Sequence, residues 1–241
     1  MITRLKTSLI AKLGPIFLRH LDGVVVPALG LSTALRADGW NRPIGLVHNP
    51  LAIMMPPPSK LQNMSGVRIV SVGRLVPQKR FDVLIRAVAE FATYTDVRLK
   101  IFGTGPLLTS LRELSSSLNV GDRVEFMGFS KEPDEIYRSA DIFVLASDFE
   151  GFGLVLIEAL AYGLPIVATD APYGPREILG GGTFGDLVEC GDSHALCEAM
   201  INVRPGSDRA SVLRRIGPGR AYEFRPSVVI QSLLEYLETI S

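Results

Sequence analysis

Residues 67–102 read VRIVSVGRLVPQKRFDVLIRAVAEFATYTDVRLKIF, and the order of patterns within this stretch decides the fold. It opens with VRIVSV, a short apolar run rich in β-branched residues, which is typical of a buried β-strand. FDVLIRAVAEFATY follows with apolar residues at helical spacing, and VRLKIF then repeats the strand pattern. A strand, a helix and a second strand in this order predict a βαβ unit with parallel strands.

The same alternation continues toward the end of the chain. Further strand patterns are RVEFM, DIFVLA and PIVAT, and further helical patterns are PLLTSLRELSSSL, PDEIYRSA, LVLIEALA, PREIL, SHALCEAMINV and PSVVIQSLLEYLETI. RASVLRRIG lies between the last two helical patterns. Short buried strands that alternate with helices predict an α/β fold, here a Rossmann-like, doubly wound parallel sheet.

The chain before this domain is organised differently. Residues 21–49 predict only one strand, one helix and one strand. Residues 50–66, PLAIMMPPPSKLQNMSG, contain a proline run that neither a helix nor a strand accommodates throughout. We therefore expect a remnant of an N-terminal α/β domain at 1–49, a hinge or linker at 50–66 and a complete α/β domain at 67–241.

Composition excludes several classes of function. Apolar residues make up 47% of the chain and charged residues 21%, which is typical of a globular protein. There are 25 basic and 25 acidic residues, so no overall field recruits nucleic acid. Two cysteines and three scattered histidines fit neither a disulfide framework nor a metal site. We expect a cytoplasmic protein without a metal or other cofactor.

The N-terminal segment allows two interpretations. Its longest apolar run, SLIAKLGPIFL, is too short to span a membrane and is interrupted by Lys12, Gly14 and Pro15. Residues 1–20 contain four cations and no acid. They fit either a basic amphipathic helix in peripheral contact with the inner face of a membrane or an ordinary surface helix packed on a core.

Loops that follow the predicted strands carry groups suited to phosphate binding. Gly73, Arg74 and Lys79 follow the first strand, and Gly103 and Gly105 follow the second. The carboxyl ends of parallel strands meet at one edge of a sheet, where ligands bind. Each feature alone is weak, because GTGP is a common turn and a lone arginine is often solvated. Glycines, cations and a helix N-terminus at one edge together predict a shared phosphate site.

Two glutamates flank the start of one apolar helix. Glu150 precedes a Gly-Phe-Gly, and Glu158 lies four residues after Leu154 in the predicted helix. Side chains of a helix lean toward its N-terminus, so the Glu158 carboxylate is expected to point back toward Glu150. A buried carboxylate needs hydrogen-bond donors. An internal salt bridge, for instance to Arg74, and a pair of ribose hydroxyls both satisfy this need.

These motifs together resemble a known family. EGFGLVLIEALAYGLPIVATD, with its glutamate, seven residues and second glutamate, resembles the signature of the family-4 retaining glycosyltransferases of the GT-B fold. VSVGRLVPQK…FDVLI, IFGTGP, VEFMGF, IYRSADIFVLAS and GPREIL occur in that family's order and spacing, and the resemblance covers about residues 67–240. It implies a C-terminal donor-binding domain that follows only the tail end of the N-terminal, acceptor-side domain.

The resemblance implies a role for each site residue. Arg74 and Lys79, beside Gly73, would hold the diphosphate of a nucleotide-sugar, Glu150 would bind hydroxyls of the transferred sugar, and Glu158 would bind the ribose. Arg74, Lys79 and Glu150 would form the catalytic group. The loop around Phe129 and Ser130 would hold the base. The backbone amides of Phe152, Gly153 and Leu154 would contact the sugar and the phosphate, and Gly151 would also belong to the donor site.

The activity that the resemblance implies is transfer of a hexosyl residue with retention to a glycan or lipid-linked acceptor, in polysaccharide or glycoconjugate synthesis. The segment DAPYGPREILGGGTFGDLVE is similar to members that use UDP-sugars. No metal is expected, because members of the family do not need one.

Two departures from the family qualify this expectation. Arg80 stands where the family usually has glycine, and it either occupies a strained position of positive φ or adds charge near the phosphates. The N-terminal domain is incomplete, so we expect self-association or a partner chain that supplies it. A non-catalytic nucleotide-sugar-binding subunit of a two-chain enzyme is the alternative function. His48, in the hinge-like HNP, is expected to be structural.

Overall fold

The computed structural model describes residues 21–52 and 66–240. Its eight strands are β1 (Val24–Val26), β2 (Ile44–Leu46), β3 (Val67–Val72), β4 (Val97–Phe102), β5 (Val124–Gly128), β6 (Ile142–Leu145), β7 (Ile166–Thr169) and β8 (Asp186–Val188). The last six form one sheet in the order β5-β4-β3-β6-β7-β8, and every pair in it is parallel. The predicted Rossmann-like, doubly wound parallel sheet is confirmed.

Helices connect these strands and cover both faces of the sheet. They are α1 (Leu29–Ala37), α2 (Phe81–Phe91), α3 (Leu108–Ser117), α4 (Pro133–Tyr137), α5 (Leu154–Ala161), α6 (Gly174–Ile178), α7 (Ser193–Asn202), α8 (Asp208–Tyr222) and α9 (Pro226–Ile240). A 3-10 turn, Pro77–Lys79, precedes α2. Strand order reverses between β3 and β6, because β4 and β5 lie on one side of β3 and β6 to β8 on the other.

The core consists of two apolar clusters, one on each face of the sheet. Strand β3 contributes to both clusters, with Val67 and Ile69 on one face and Val70 on the other. Helices α2, α3 and α7 complete the first cluster, and α4, α5 and α6 complete the second. The period of two along β3 therefore determines which helices cover each face.

Strand β8 was not predicted from the sequence. All three of its residues are half-buried, because the strand lies at the edge of the sheet. Such a strand needs no continuous apolar run, which was the pattern that identified the central strands. The RASVLRRIG segment, to which the sequence assigned no structure, lies within α8, which extends beyond it and contains Pro218.

The strand–helix–strand predicted for residues 21–49 is present as β1, α1 and β2, and the two strands pair in parallel. Helix α9 packs on β2, where the Tyr236 ring lies against Gly45 and its hydroxyl donates to the Pro43 carbonyl at 3.2 Å. The division into a remnant, a linker and a donor domain stays a prediction. The basic segment 1–20 and linker residues 53–65 lie outside the described residues.

Candidate functional site

The candidate site lies at the carboxyl edge of the sheet, at the reversal between β3 and β6. A cavity of about 240 Å³ opens beside this reversal, on the side of β4 and β5, at the sheet edge where doubly wound sheets bind ligands. Its lining comes from the ends of β3, β4 and β5 and the loops after them: Val72, Gly73, Arg74, Phe102, Gly103, Thr104, Phe129 and Ser130. Four of the predicted site residues, Gly73, Arg74, Phe129 and Ser130, therefore share one cavity.

Glycines let the loops of this edge pack on one another. A Cβ atom on Gly103, which has φ +143°, would lie 1.9 Å from the Gly73 carbonyl oxygen. A Cβ atom on Gly105 would lie 2.4 Å from the Leu75 carbonyl oxygen. The GTGP glycines are thus required for contact between the loops after β3 and β4.

Arg74 is an exposed cation beside the cavity. Within residues 21–52 and 66–240 its guanidinium makes no hydrogen bond or ion pair. The predicted alternative of a Glu158–Arg74 salt bridge is therefore wrong. A free guanidinium at the strand reversal is available for a bidentate interaction with an anion such as a phosphate.

Lys79, which the resemblance assigns to the diphosphate, forms an ion pair with Glu150. The Lys79 ammonium lies 2.5 Å from Glu150 Oε1, and the two side chains are only 14% and 8% exposed. The buried Ser147 hydroxyl donates to the same oxygen at 2.6 Å. Glu150 Oε2 makes no hydrogen bond within the described residues, and it is not sealed from solvent. One oxygen is thus held by the protein and the other is open.

The loop after Glu150 presents backbone donors. Helix α5 begins at Leu154, after Gly153 with φ +102°, so the expected helix start is confirmed. The N–H groups of Phe152, Gly153 and Leu154 donate to no carbonyl among the described residues. Phe152 is buried, and Gly151 is exposed in the same loop. This helix N-terminus offers the free donors and the positive dipole end that favour an anion.

The protein partner of Glu158 is Tyr137, and not the Arg74 that the sequence offered as one alternative. The Tyr137 hydroxyl donates to Glu158 Oε2 at 2.5 Å. Burial raises the pKa of Glu158, and the hydrogen bond from Tyr137 offsets part of that rise. Glu158 Oε1 has no hydrogen bond to the described part of the chain. Tyr137 was missed because only the fold brings α4 beside α5.

The loop after β5 combines an exposed ring with a tethered hydroxyl. Phe129 is 72% exposed, and its ring is available for contact with a planar group. The Ser130 hydroxyl donates to Glu135 of α4 and accepts from the Glu132 N–H at 3.1 Å. This loop is therefore fixed to α4 on one side and open at Phe129 on the other.

Arg80 occupies the position of positive φ that the sequence left as one alternative, whereas its charge has protein partners. Its backbone has φ 46° and ψ 42°, in the left-handed region. Its guanidinium lies 2.9 Å from Asp148 and 3.2 Å from Asp82. The charge of Arg80 is thus paired with two carboxylates, and the side chain ties the loop after β3 to the loop after β6.

His48 connects the N-terminal elements to the loop after β6. Its Nε2 lies 2.7 Å from Glu177 of α6, and the same carboxylate accepts from the Leu29 N–H at 2.7 Å. The His48 ring stacks on Phe152 with a centroid distance of 5.3 Å. These contacts agree with the expected structural role.

Two further observations concern the described residues as a whole. No group of three or more His, Cys, Asp or Glu side chains in this part of the chain is arranged to hold a metal ion. Among residues 21–52 and 66–240, no helix is both long and apolar enough to cross a membrane.

Comparison with known proteins identifies the family. The family model for glycosyl transferases group 1 matches residues 58–215. Because this match covers more than half of the 241 residues, the chain belongs to the group 1 glycosyltransferases.

Curated relatives agree with this assignment. The N-acetylgalactosamine-N,N'-diacetylbacillosaminyl-diphospho-undecaprenol 4-alpha-N-acetylgalactosaminyltransferase of Campylobacter jejuni is 34% identical over 169 residues, which are 70% of this chain and 46% of the relative. The lipopolysaccharide core biosynthesis glycosyltransferase LpsE of Rhizobium meliloti is 30% identical over 191 residues, 78% of this chain and 55% of LpsE. The chain thus spans about half the length of these two relatives.

Solved structures share the fold. A mutant of TarM from S. aureus, in complex with fondaparinux, alpha-GlcNAc-glycerol and UDP, superposes with a TM-score of 0.82 and 20% identity, over 90% of this chain and 44% of TarM. A chain of the GtfA/B complex superposes with a TM-score of 0.79 and 22% identity, over 91% of this chain and 46% of the GtfA/B chain. The structural neighbours are GT-B glycosyltransferases, so the six-stranded domain corresponds to the Rossmann-like C-terminal domain of that fold.

Proposed function

We propose that this chain is a retaining, family-4 glycosyltransferase that transfers a hexosyl residue from a UDP-sugar to a glycan or lipid-linked acceptor. The observation that carries the proposal is Arg74, a cation without a protein partner in the described residues, at the lining of the cavity beside the strand reversal. The free N–H groups at the start of α5 belong to the same sheet edge. A diphosphate is the ligand that both groups suit.

In this proposal the donor is distributed along the sheet edge. The diphosphate lies between Arg74 and the N-terminus of α5, and Glu158 Oε1 accepts a ribose hydroxyl. Glu150 Oε2 accepts a hydroxyl of the transferred sugar, and Lys79 holds that carboxylate in place through Oε1. The base lies against Phe129 and the backbone around Ser130, at the exposed end of the cavity.

The chemical step needs stabilisation of the departing diphosphate. Arg74 and the α5 N–H groups provide fixed positive charge where the leaving group gains negative charge. We assign Glu150 to binding and not to nucleophilic attack. We also propose that UDP binding needs no metal, so that EDTA leaves the affinity for UDP unchanged.

Names of the relatives support an acceptor class. One relative is named for an undecaprenol-diphosphate-linked acceptor and the other for lipopolysaccharide core synthesis. We propose for this chain a lipid-linked or glycan acceptor and a cytoplasmic location, with peripheral contact at the inner face of the membrane.

Thermal denaturation with a panel of nucleotides tests the donor site. UDP or a UDP-sugar at a hundredfold excess over its dissociation constant should stabilise the protein by about 2.7 kcal/mol, which raises Tm by roughly 5–10 °C. Arg74→Met should raise the dissociation constant about tenfold or more, because it removes a charge-assisted interaction. Arg86→Met, on the exposed face of α2, is the matched control and should leave binding unchanged. No shift with UDP, GDP, ADP or their sugars at millimolar concentration would contradict the proposal.

The second candidate is a nucleotide-sugar-binding subunit of a two-chain enzyme. It is favoured by the likeness to a chain of the GtfA/B complex and by apolar side chains exposed on β1, β2 and α9. The exposed residues are Val25, Leu46, Ile230, Leu234 and Leu237. Turnover of a radiolabelled UDP-sugar by the chain alone, and with candidate partners, separates the two functions. Turnover only with a partner would favour this second candidate.

A further inference from the structure

Tyr137 is a buried tyrosine whose position is fixed on two sides. Its side chain is fully buried, and it lies at the end of α4. Its ring contacts Phe143 of β6 at 6.0 Å and Tyr162, just after α5, at 5.3 Å between centroids. A ring held in this way presents its hydroxyl at one point, so the partner of that hydroxyl is also fixed.

That partner is Glu158. The Tyr137 hydroxyl donates to Oε2 at 2.5 Å. Among the described residues, no other group donates a hydrogen bond to this carboxylate. Oε1 stays open. A carboxylate on a flexible three-torsion side chain loses rotational freedom when one oxygen is bound, so its second oxygen is oriented before a ligand arrives.

We infer that Tyr137 is a positioning residue for ribose recognition, which acts by holding the Glu158 carboxylate toward the ribose hydroxyls of a nucleoside diphosphate. This inference rests on the proposed function, since it assigns the ribose to Glu158. Tyr137 itself touches no ligand in this account, because its single hydroxyl is used by Glu158.

Helix α4 links this contact to the base end of the site. Glu135, two residues before Tyr137, accepts from the Ser130 hydroxyl in the loop beside the cavity. The five-residue helix thus tethers the Ser130 loop and Glu158 at the same time. Helix α4 therefore fixes the distance between the proposed base contact and the proposed ribose contact.

The chain offers a matched control in Tyr162. This tyrosine packs against the Tyr137 ring, but its hydroxyl donates to Asp134 at 2.5 Å and not to Glu158. Tyr137→Phe and Tyr162→Phe each remove one hydroxyl from the same aromatic pair and keep the ring. Only the first removes a donor from Glu158.

The test compares ribose recognition in the two variants. Isothermal titration measures the binding of UDP, 2′-deoxy-UDP and 3′-deoxy-UDP to the wild-type chain and to both variants, with melting curves to verify folding. We expect the wild type and Tyr162→Phe to prefer UDP over at least one deoxy analogue by about tenfold. In Tyr137→Phe the preference should shrink to about threefold or less.

Each outcome decides between the alternatives. An unchanged preference in Tyr137→Phe would overturn the inference and leave the proposed donor site intact. An equal loss of preference in both variants would also overturn it, because that result points to general packing of the aromatic pair. Absence of UDP binding by the wild type would overturn the proposed function and the inference with it.

Discussion

Glu150 and Glu158 lie eight residues apart, yet the protein holds their carboxylates in different ways. Glu150 Oε1 receives a cation, Lys79, together with the Ser147 hydroxyl. Glu158 Oε2 receives only the neutral hydroxyl of Tyr137, and burial raises the pKa of Glu158. In both cases one oxygen stays open. The charge of the first carboxylate is therefore already compensated by the fold, whereas the second lacks a cation and can accept hydrogen bonds from a ligand.

Breaking the ion pair should give the largest effect. Lys79→Met leaves the Glu150 carboxylate buried without its cation, which typically costs about 3–5 kcal/mol. For a chain of this size we expect Tm to fall by roughly 6–20 °C in a calorimetric scan. The double variant Lys79→Met/Glu150→Gln should recover much of this loss, because no charge is then left unpaired. A fall of less than about 2 °C in the single variant would show that the pair is not effectively buried.

Separate substitution of the glutamates should distinguish their ligands. Glu158→Gln should weaken UDP binding about tenfold or more, since a hydrogen bond to a charged group contributes roughly 1.5–3 kcal/mol. Glu150→Gln should spare UDP and weaken only a UDP-sugar by a similar factor, because its open oxygen is assigned to the sugar. Titration calorimetry with both ligands measures the four dissociation constants. Equal losses for both ligands in both variants would mean that the two carboxylates are only structural.

The raised pKa of Glu158 predicts an effect on stability that depends on pH. A carboxyl group whose pKa is raised by folding contributes stability below its ordinary pKa and loses that contribution as pH rises through the folded value. Above that value the charged group opposes folding. Glu158→Gln should therefore melt at higher temperature than the ligand-free wild type near neutral pH, and the difference should grow as pH rises from about 4. The exposed Glu113→Gln is the control, and a difference independent of pH would contradict the prediction.

The smallest effect should come from Arg80, which ties the Glu150 loop from its outer side. Arg80→Gly removes the strain of a left-handed residue, worth about 1 kcal/mol, and also removes two partly exposed ion pairs worth about 0–1 kcal/mol each. The two changes nearly cancel, so we expect Tm to move by less than about 4 °C. A much larger fall would mean that the Asp148 and Asp82 contacts stabilise the loop more than surface ion pairs usually do.

The sequence predicted the central sheet and the sheet edge at which the candidate site lies, and what it missed has physical reasons. Buried strands such as β3 and β6 carry their own apolar pattern, whereas β8 is half-buried at an edge and does not. Loop residues such as Gly73 and Arg74 were found because parallel strands end at one edge. The protein partners of Glu150 and Glu158 were not found from the sequence, because Lys79 and Tyr137 contact them only through the packing of distant segments.

The family resemblance contributed what local patterns lacked. From the residues alone, Glu158 fitted a salt bridge to Arg74 as well as a ribose contact. The fold excluded the salt bridge, because the described contacts join Glu158 to Tyr137 and leave Arg74 free. A carboxylate and a cation that do not pair with each other, at one edge of a sheet, are both available to the same ligand.

A crystal structure of the chain with UDP bound tests the central claim most directly. We predict that the diphosphate lies between the Arg74 guanidinium and the N–H groups of Phe152, Gly153 and Leu154, with a ribose hydroxyl within hydrogen-bond distance of Glu158 Oε1. Tyr137 should keep its hydrogen bond to Oε2, and the Lys79–Glu150 pair should stay closed. UDP bound away from the reversal between β3 and β6, or with its ribose far from Glu158, would contradict the account.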